Sequence, residues 1–160
     1  MALYKKKRFW GSVAGRIILF LSLLFLWPQS LLKNTESDIQ SISIVVIEES
    51  FEHNNSTYVY NIDDPMFDAI MDILDQYSYH TSWNTISKRL EKRVELEGNL
   101  AGHWLHIYLY TAPDRYGECY QIISGGTGEV IVDDGVYRMG YWGNKTARKF
   151  MDEVYQVVNP

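Results

Sequence analysis

The pattern of apolar and polar positions separates a short N-terminal segment from a longer region of alternating strand-like and helix-like stretches. An uninterrupted apolar block covers residues 17–27, and mostly apolar or small residues extend it from Phe9 to Leu32. These 24 residues, at 1.5 Å each, can cover the roughly 30 Å hydrocarbon core of a bilayer. The pattern predicts one transmembrane helix over residues 9–32, with Arg16 near the cytoplasmic interface.

The charges around this segment predict its orientation and its fate. Four basic residues, 5–8, precede the segment and favour a cytoplasmic N-terminus, so the remainder of the chain is expected outside the cytoplasm. The residues after Trp27 offer Ser30 but no Ala-x-Ala-like cleavage site, which favours a retained signal anchor. A cleaved signal remains the alternative. No cysteine follows the apolar block, so a lipid-modified N-terminus is not expected.

The predicted domain organisation has three parts. Residues 1–32 form a basic cytoplasmic tip and the transmembrane anchor, residues 33–41 form a polar linker, and residues 42–160 form the exported domain. A domain of this length can bury a core of its own.

The first half of the domain predicts a hairpin followed by a helix. Residues 41–48 (SISIVVIE) and 56–62 (STYVYNI) have strand-like patterns, separated by a short polar stretch. Asp63, Asp64 and Pro65 then form a helix start, followed by apolar residues at helical spacing as far as Tyr77. Residues 80–100 are ambiguous, since Trp83, Ile86, Leu90 and Val94 fit a helix whereas RVELEG alternates like a strand.

The second half predicts an antiparallel meander and a closing helix. Strand-like stretches lie at residues 103–111, 118–124, 129–133 and 136–142, separated by glycine- or aspartate-containing turns. Asn144 is placed to cap a final amphipathic helix that runs to about Val158. The resulting fold class is α+β: a mainly antiparallel sheet, made of an N-terminal hairpin and a C-terminal meander, packed by two or three helices and preceded by the transmembrane helix.

Composition and charge narrow the function classes. The net charge is −5, and because residues 1–33 carry +6, the rest of the chain carries −11. Such an acidic domain repels phosphate backbones, so we expect no nucleic-acid partner. The acidic stretch 36–75 is interpreted as a solvated face, with a cation-binding surface as the alternative. The single cysteine, Cys119, excludes an intrachain disulfide and is expected to be buried in a strand.

No residue constellation predicts catalysis or metal binding. His103 and His106 lie three apart on a predicted strand, so they point to opposite faces and cannot easily share one ion. The GGTG sequence at residues 125–128 lacks the Lys-Ser/Thr of a phosphate-binding loop and is interpreted as a turn. The aspartate pairs at 63–64 and 133–134 are interpreted as cap and turn residues. The sequence therefore predicts no catalytic residue, no metal and no cofactor.

The order of elements nevertheless resembles a known family. The strand HIYLYT, the strand CYQIIS, a glycine turn, the segment EVIVDDGVYRM and a closing helix follow a strand pair and the helix DDPMFDAIMDIL. Over residues 41–158 this order resembles the small YhfM-like domains of unknown function, found in membrane-anchored proteins and lipoproteins of Gram-positive bacteria. The resemblance implies an extracytoplasmic α+β domain and no catalytic residues.

These observations favour a membrane-anchored binding or interaction module at the cell surface, with its bilayer contact through residues 9–32. Tyr137, Tyr141 and Trp142 are the candidate surface for a protein partner, since exposed aromatic residues near Gly140 and Gly143 suit a contact surface. Two alternatives stay open: a membrane-anchored hydrolase that uses His103 or His106, and a cation-responsive sensor.

Overall fold

The structure is a computed structural model that describes residues 12–23, 27–32, 39–48, 55–91, 94–96, 101–113 and 117–159. Within these residues one antiparallel sheet has the strand order β1-β4-β8-β7-β6-β5-β2-β3. The strands are β1 Gln29–Ser30, β2 Ser41–Glu48, β3 Asn55–Asn61, β4 Ser78–His80, β5 His103–Tyr110, β6 Cys119–Ser124, β7 Glu129–Val132 and β8 Gly135–Met139. The helices are α1 over residues 12–23, α2 Pro65–Gln76, α3 Trp83–Leu90 and α4 Lys145–Val158.

The centre of the sheet joins the predicted hairpin to the predicted meander. β2 pairs with β3 on one side and with β5 on the other, and Ile44 lies opposite Ile107 in the second pairing. Side chains alternate between the two faces of a strand, so β2 and β5 place every second residue on the same face. That face is apolar and almost inaccessible to solvent: Ile42, Ile44, Val46, Leu105, Ile107 and Leu109.

Helices α2 and α4 contact each other and bury their apolar sides in the same core. The side chain of Asp64 accepts a hydrogen bond from the backbone N–H of Met66 and so caps α2, as predicted. The apolar side of α4 is buried as predicted: Ala147, Phe150, Met151, Val154 and Val158. Asn144 occupies the N-cap position of α4 without a side-chain capping bond. The α+β class, the hairpin and the meander are confirmed.

The ambiguous stretch after His80 contains a helix and lacks the alternative strand where it is described. Ser82 and Thr85 form a capping box, in which each side chain bonds the other residue's backbone N–H, and this starts α3. Residues 94–96 have no regular structure. The helical interpretation of Trp83, Ile86 and Leu90 is confirmed by α3, in which the side chains of Trp83 and Leu90 are highly exposed. The buried residues of α3 are Thr85 and Lys88.

The last four residues of the predicted anchor, 29–32, are part of the folded domain. Gln29 of β1 pairs with Tyr79 of β4, while Leu31 and Leu32 are buried in the core. Pro28, which has no amide hydrogen to donate, directly precedes β1. The start of the domain therefore moves to about residue 29, and the predicted anchor and linker lose residues 29–32 and 39–41 to the fold.

The helix α1 lies inside the predicted anchor. Within the described residues, none of the helices combines the length and apolar character needed to cross a bilayer. Residues 9–11 and 24–26 of the predicted anchor, and 33–38 of the predicted linker, lie outside the described part of the chain.

Candidate functional site

The candidate site is built around His80, the last residue of β4, whose ring is buried. Its Nδ1 lies 3.0 Å from the carbonyl oxygen of Thr81, and its Nε2 lies 3.1 Å from the carbonyl oxygen of Gly140. A carbonyl oxygen only accepts, so each contact is a hydrogen bond only when that ring nitrogen carries its proton. The neutral ring satisfies one contact, and the imidazolium satisfies both. His80 thus ties the segment after β4 to the segment after β8.

Tyr141 stacks on His80 and begins an exposed aromatic turn. The two ring centroids are 4.8 Å apart with an angle of 15° between the planes. The backbone of Gly140 has φ 77°, and a Cβ there would collide with the side chain of Thr146. This close approach of β8 to the start of α4 requires glycine. It turns the chain outward, so that the side chain of Trp142 is 90% exposed.

Trp83 adds a third aromatic side chain to this end of the domain. It is the first residue of α3, fixed in place by the Ser82–Thr85 capping box, and it is 78% exposed. Trp83 and Tyr141 line the same pocket, and Tyr141 and Trp142 line the next one. We call Trp83, Tyr141 and Trp142 the aromatic surface.

The first of these pockets lies between the aromatic surface and α1. Its volume is about 450 Å³. The α1 side is formed by Ile18, Leu21 and Ser22, and the domain side by residues that include His80, Trp83, Tyr141 and Arg138. The apolar N-terminal helix and the exposed aromatic residues therefore border each other.

The second pocket has a more cationic wall. It has a volume of about 680 Å³, and Lys145 and Lys149 line it together with Tyr141 and Trp142. Lys149 also forms an exposed ion pair with Glu153, at 3.3 Å. In a domain of strongly negative net charge, this places cations beside the aromatic surface.

A buried ion pair holds α3 on the sheet beside the site. Lys88 Nζ lies 2.7 Å from Glu129 Oε2 on β7, and both side chains are almost completely buried. Lys88 also donates to the carbonyl oxygen of Glu95 at 2.9 Å, and Asn84 donates to the other carboxylate oxygen of Glu129. These bonds offset the cost of removing two charges from water. The pair positions α3, and with it Trp83.

The three residues predicted as an interaction surface lie in two different environments. Tyr141 and Trp142 belong to the aromatic surface. Tyr137 is half-buried and packs on Tyr79 with ring centroids 4.5 Å apart. Its hydroxyl accepts a hydrogen bond from Arg89 Nη2 at 2.6 Å, and the guanidinium lies over its ring. Tyr137, on β8, therefore packs between β4 and α3. Trp83, the third exposed aromatic residue at this end of the domain, was not predicted.

The other candidate residues are dispersed over the domain. His103 packs against Tyr155 of α4, with ring centroids 4.8 Å apart, whereas His106 contacts Tyr108. Burial lowers the pKa of His106. The 125–128 stretch is the β6–β7 turn, and Asp133 and Asp134 form the β7–β8 turn, both as predicted.

The remaining predictions concern the burial of Cys119 and the binding of a metal ion. The expectation of a buried Cys119 is wrong, because this first residue of β6 is exposed. Burial of its sulfur nevertheless raises the pKa of the thiol. In the described part of the chain, no three His, Cys, Asp or Glu side chains are grouped closely enough to hold a metal ion.

Comparisons with models of protein families, with curated proteins and with solved structures gave no match to this chain.

Proposed function

We propose that this chain is a single-pass membrane protein in which the segment containing α1 anchors an exported α+β binding or interaction module. The observation that carries the proposal is the exposure of α1. Six large apolar side chains of this helix are 47–64% exposed: Ile17, Ile18, Leu19, Phe20, Leu21 and Leu23.

The domain does not use these side chains for its own core. Its buried cluster is formed by residues from Leu31 onward and contains none from α1. Exposed apolar area costs about 25 cal/mol per Å² in water, so a helix with this surface is stabilised by an apolar environment. From Ile17 to Leu23 the only polar side chain of this helix is Ser22, and such a surface suits the interior of a membrane better than the surface of a domain.

The charge distribution supports export of the domain. The basic residues 5–8 precede α1, and residues 34–160 carry a net charge of −11. Basic residues beside a membrane segment are retained in the cytoplasm, whereas acidic residues contribute little to orientation. The proposal therefore places the N-terminus in the cytoplasm and the sheet outside it.

The anchor is tested by extraction of membranes with alkaline carbonate, which releases peripheral proteins and retains integral ones. We expect the natural chain to stay in the membrane pellet. The double substitution Leu19→Asp/Leu23→Asp places two carboxylates one turn apart in α1, at about 2.5–3.5 kcal/mol each for insertion. We expect this variant to appear in the soluble fraction.

A control places one added carboxylate on α4 and leaves α1 unchanged. Gln156 is exposed on that helix, so Gln156→Asp should leave the chain in the pellet. Release of the natural chain by carbonate would contradict the proposed anchor. So would equal retention of the natural chain and the Leu19→Asp/Leu23→Asp variant.

A further inference from the structure

We propose that the aromatic surface docks on the lipid interface beside the anchor, so that the domain lies against the membrane at the β1-β4-β8 edge of its sheet. This inference rests on the proposed function, since it takes α1 as the membrane segment. It goes further by assigning a ligand, the headgroup region of a phospholipid bilayer, to Trp83, Tyr141 and Trp142.

The first argument is the chemistry of the three side chains. Tryptophan and tyrosine combine a large apolar ring with one polar group, and they concentrate at membrane–water interfaces for this reason. Here two tryptophans are 78% and 90% exposed at one end of a domain whose core is otherwise well covered. A surface that faced only water would gain nothing from this exposure.

The second argument is that the aromatic surface is held in place before any ligand binds. Tyr141 stacks on the buried ring of His80, and Trp83 begins a helix that carries both a capping box and the buried Lys88–Glu129 pair. Tyr141 and Trp142 lie between two glycines in the left-handed region, Gly140 and Gly143, and Arg138 Nη2 donates to the carbonyl oxygen of Gly143 at 2.9 Å, which fixes the end of this turn. Side chains on such supports lose less conformational entropy on binding than side chains on a loose loop.

The third argument is position. α1 and the aromatic surface line opposite sides of one pocket, so lipid that surrounds α1 also meets Trp83 and Tyr141. This continuity with the apolar helix favours the membrane over a protein partner as the occupant. The far edge of the sheet, β3, is separated from β8 by four strands and points away from the bilayer.

The fourth argument is charge. Lys145 and Lys149 line the pocket beside Trp142, and Arg138 lines the pocket beside Tyr141. Phospholipid headgroups carry phosphate, and each basic side chain near an anionic surface contributes about 1 kcal/mol of attraction. Cations at the rim of an aromatic surface in an acidic domain therefore complement the headgroup layer.

The test measures depth by spin labels on the full chain reconstituted into vesicles of phosphatidylcholine and phosphatidylglycerol. Cys119→Ser removes the only cysteine, and single cysteines are then introduced by Trp142→Cys, Trp83→Cys, Leu19→Cys and Val59→Cys. The variants at positions 142 and 83 each keep the other two residues of the aromatic surface, which maintain the docking. Val59 is the matched control, since it is an exposed apolar residue on β3. For each nitroxide we measure the frequency of collisions with oxygen, which concentrates in lipid, and with a nickel chelate, which stays in water.

We expect labels at positions 142 and 83 to lose collisions with nickel and gain collisions with oxygen relative to position 59. The label at position 142 should be better protected from nickel collisions in vesicles that contain phosphatidylglycerol than in vesicles of phosphatidylcholine alone. Equal protection in both would show that Lys145 and Lys149 do not contribute to the docking. The label at position 19 reports on the anchor separately. If it is in lipid while 83 and 142 are as water-exposed as 59, the anchor stands and the docking is refuted.

Two further outcomes also decide the matter. If position 19 is water-exposed, the proposed function itself fails. If the label at position 142 shows spin–spin broadening that disappears on dilution with unlabelled chain, the aromatic surface binds a second copy of this chain, and the lipid proposal is refuted. Circular dichroism of each variant verifies that the domain is folded.

Discussion

Helices α1 and α4 are both rich in large apolar residues, yet the domain covers one and leaves the other exposed. α4 has an apolar side, and it buries Phe150, Met151 and Val154 completely while its charged residues face solvent. α1 has no comparable polar side, and its apolar residues remain about half exposed. A sheet can cover only one side of a helix. The difference shows that α4 is an element of the core, whereas α1, the proposed membrane segment, lies outside it.

The largest expected effect is the difference in domain stability between a substitution on α4 and the same substitution on α1. Phe150→Ala removes a fully buried ring that contacts Tyr77 with centroids 5.2 Å apart. We expect a loss of about 3–5 kcal/mol in the free energy of unfolding, measured by chemical denaturation in detergent micelles. Phe20→Ala on α1 is the matched substitution and should change the unfolding of the domain by less than about 0.5 kcal/mol. Similar losses for both variants would show that α1 belongs to the core.

A comparable effect is expected at the buried ion pair that positions Trp83. Lys88→Ala leaves the carboxylate of Glu129 buried without its cation, at a cost of about 3–5 kcal/mol. The double variant Lys88→Met/Glu129→Leu should recover much of this loss, because it removes both buried charges together. If Lys88→Ala costs as little as a surface substitution, α3 is not held by this pair.

A smaller effect is expected where α4 meets the end of α2. The Tyr77 hydroxyl donates to Glu153 Oε2 at 2.6 Å, so Tyr77→Phe should cost about 1 kcal/mol at neutral pH. This hydrogen bond lowers the pKa of Glu153 from its ordinary value of 4.5, and Lys149 adds to the effect. A carboxyl group whose pKa is lowered by folding stabilises the folded state at pH values above its unfolded-state pKa. This contribution is lost as the pH falls through the folded-state pKa.

The pH dependence gives this prediction a control. The difference in stability between the natural chain and Tyr77→Phe should shrink as the pH falls below about 4.5, because protonated Glu153 is a weaker acceptor. A difference that stays constant from pH 7 to pH 3 would mean that Tyr77 acts through packing alone.

The smallest effect is expected at the surface of α4. Lys149→Ala breaks an exposed ion pair with Glu153 at 3.3 Å, and such pairs contribute about 0.3–0.5 kcal/mol. The same substitution removes one of the cations beside Trp142, so it should increase nickel collisions of a label at position 142 in anionic vesicles more clearly than it reduces stability. A large loss of stability would assign Lys149 to the fold.

The sequence predicted the elements whose patterns are local. α2 carries its own cap at Asp64, and β2 and β5 alternate strongly enough to identify their buried face. β1 and β4 were missed because they have two and three residues, too few for a period, and they are extended only because they pair with each other and with β8. Such pairing depends on distant residues.

Only part of the candidate site was predicted, because some of its residues are placed by contacts with distant residues. Tyr141 and Trp142 lie next to glycines, a local signal for an exposed turn, and they were identified. Trp83 was predicted to lie on a helix because its spacing to Ile86 and Leu90 fits one, but this spacing does not show which side of the helix is exposed. The capping box at Ser82 and Thr85 instead fixes the start of α3 so that Trp83 points outward, and only the packing of Lys88 on Glu129 determines which side is buried.

The most direct test of an exported, anchored domain uses the only cysteine of the chain. Cys119 is exposed on β6, so a membrane-impermeant maleimide can reach it wherever the domain faces the reagent. Because burial raises the pKa of this thiol, labelling is carried out at mildly alkaline pH, with Cys119→Ser as the blank. We predict labelling in intact cells, with the labelled chain in the membrane pellet. Labelling only after the cells are lysed would contradict the account.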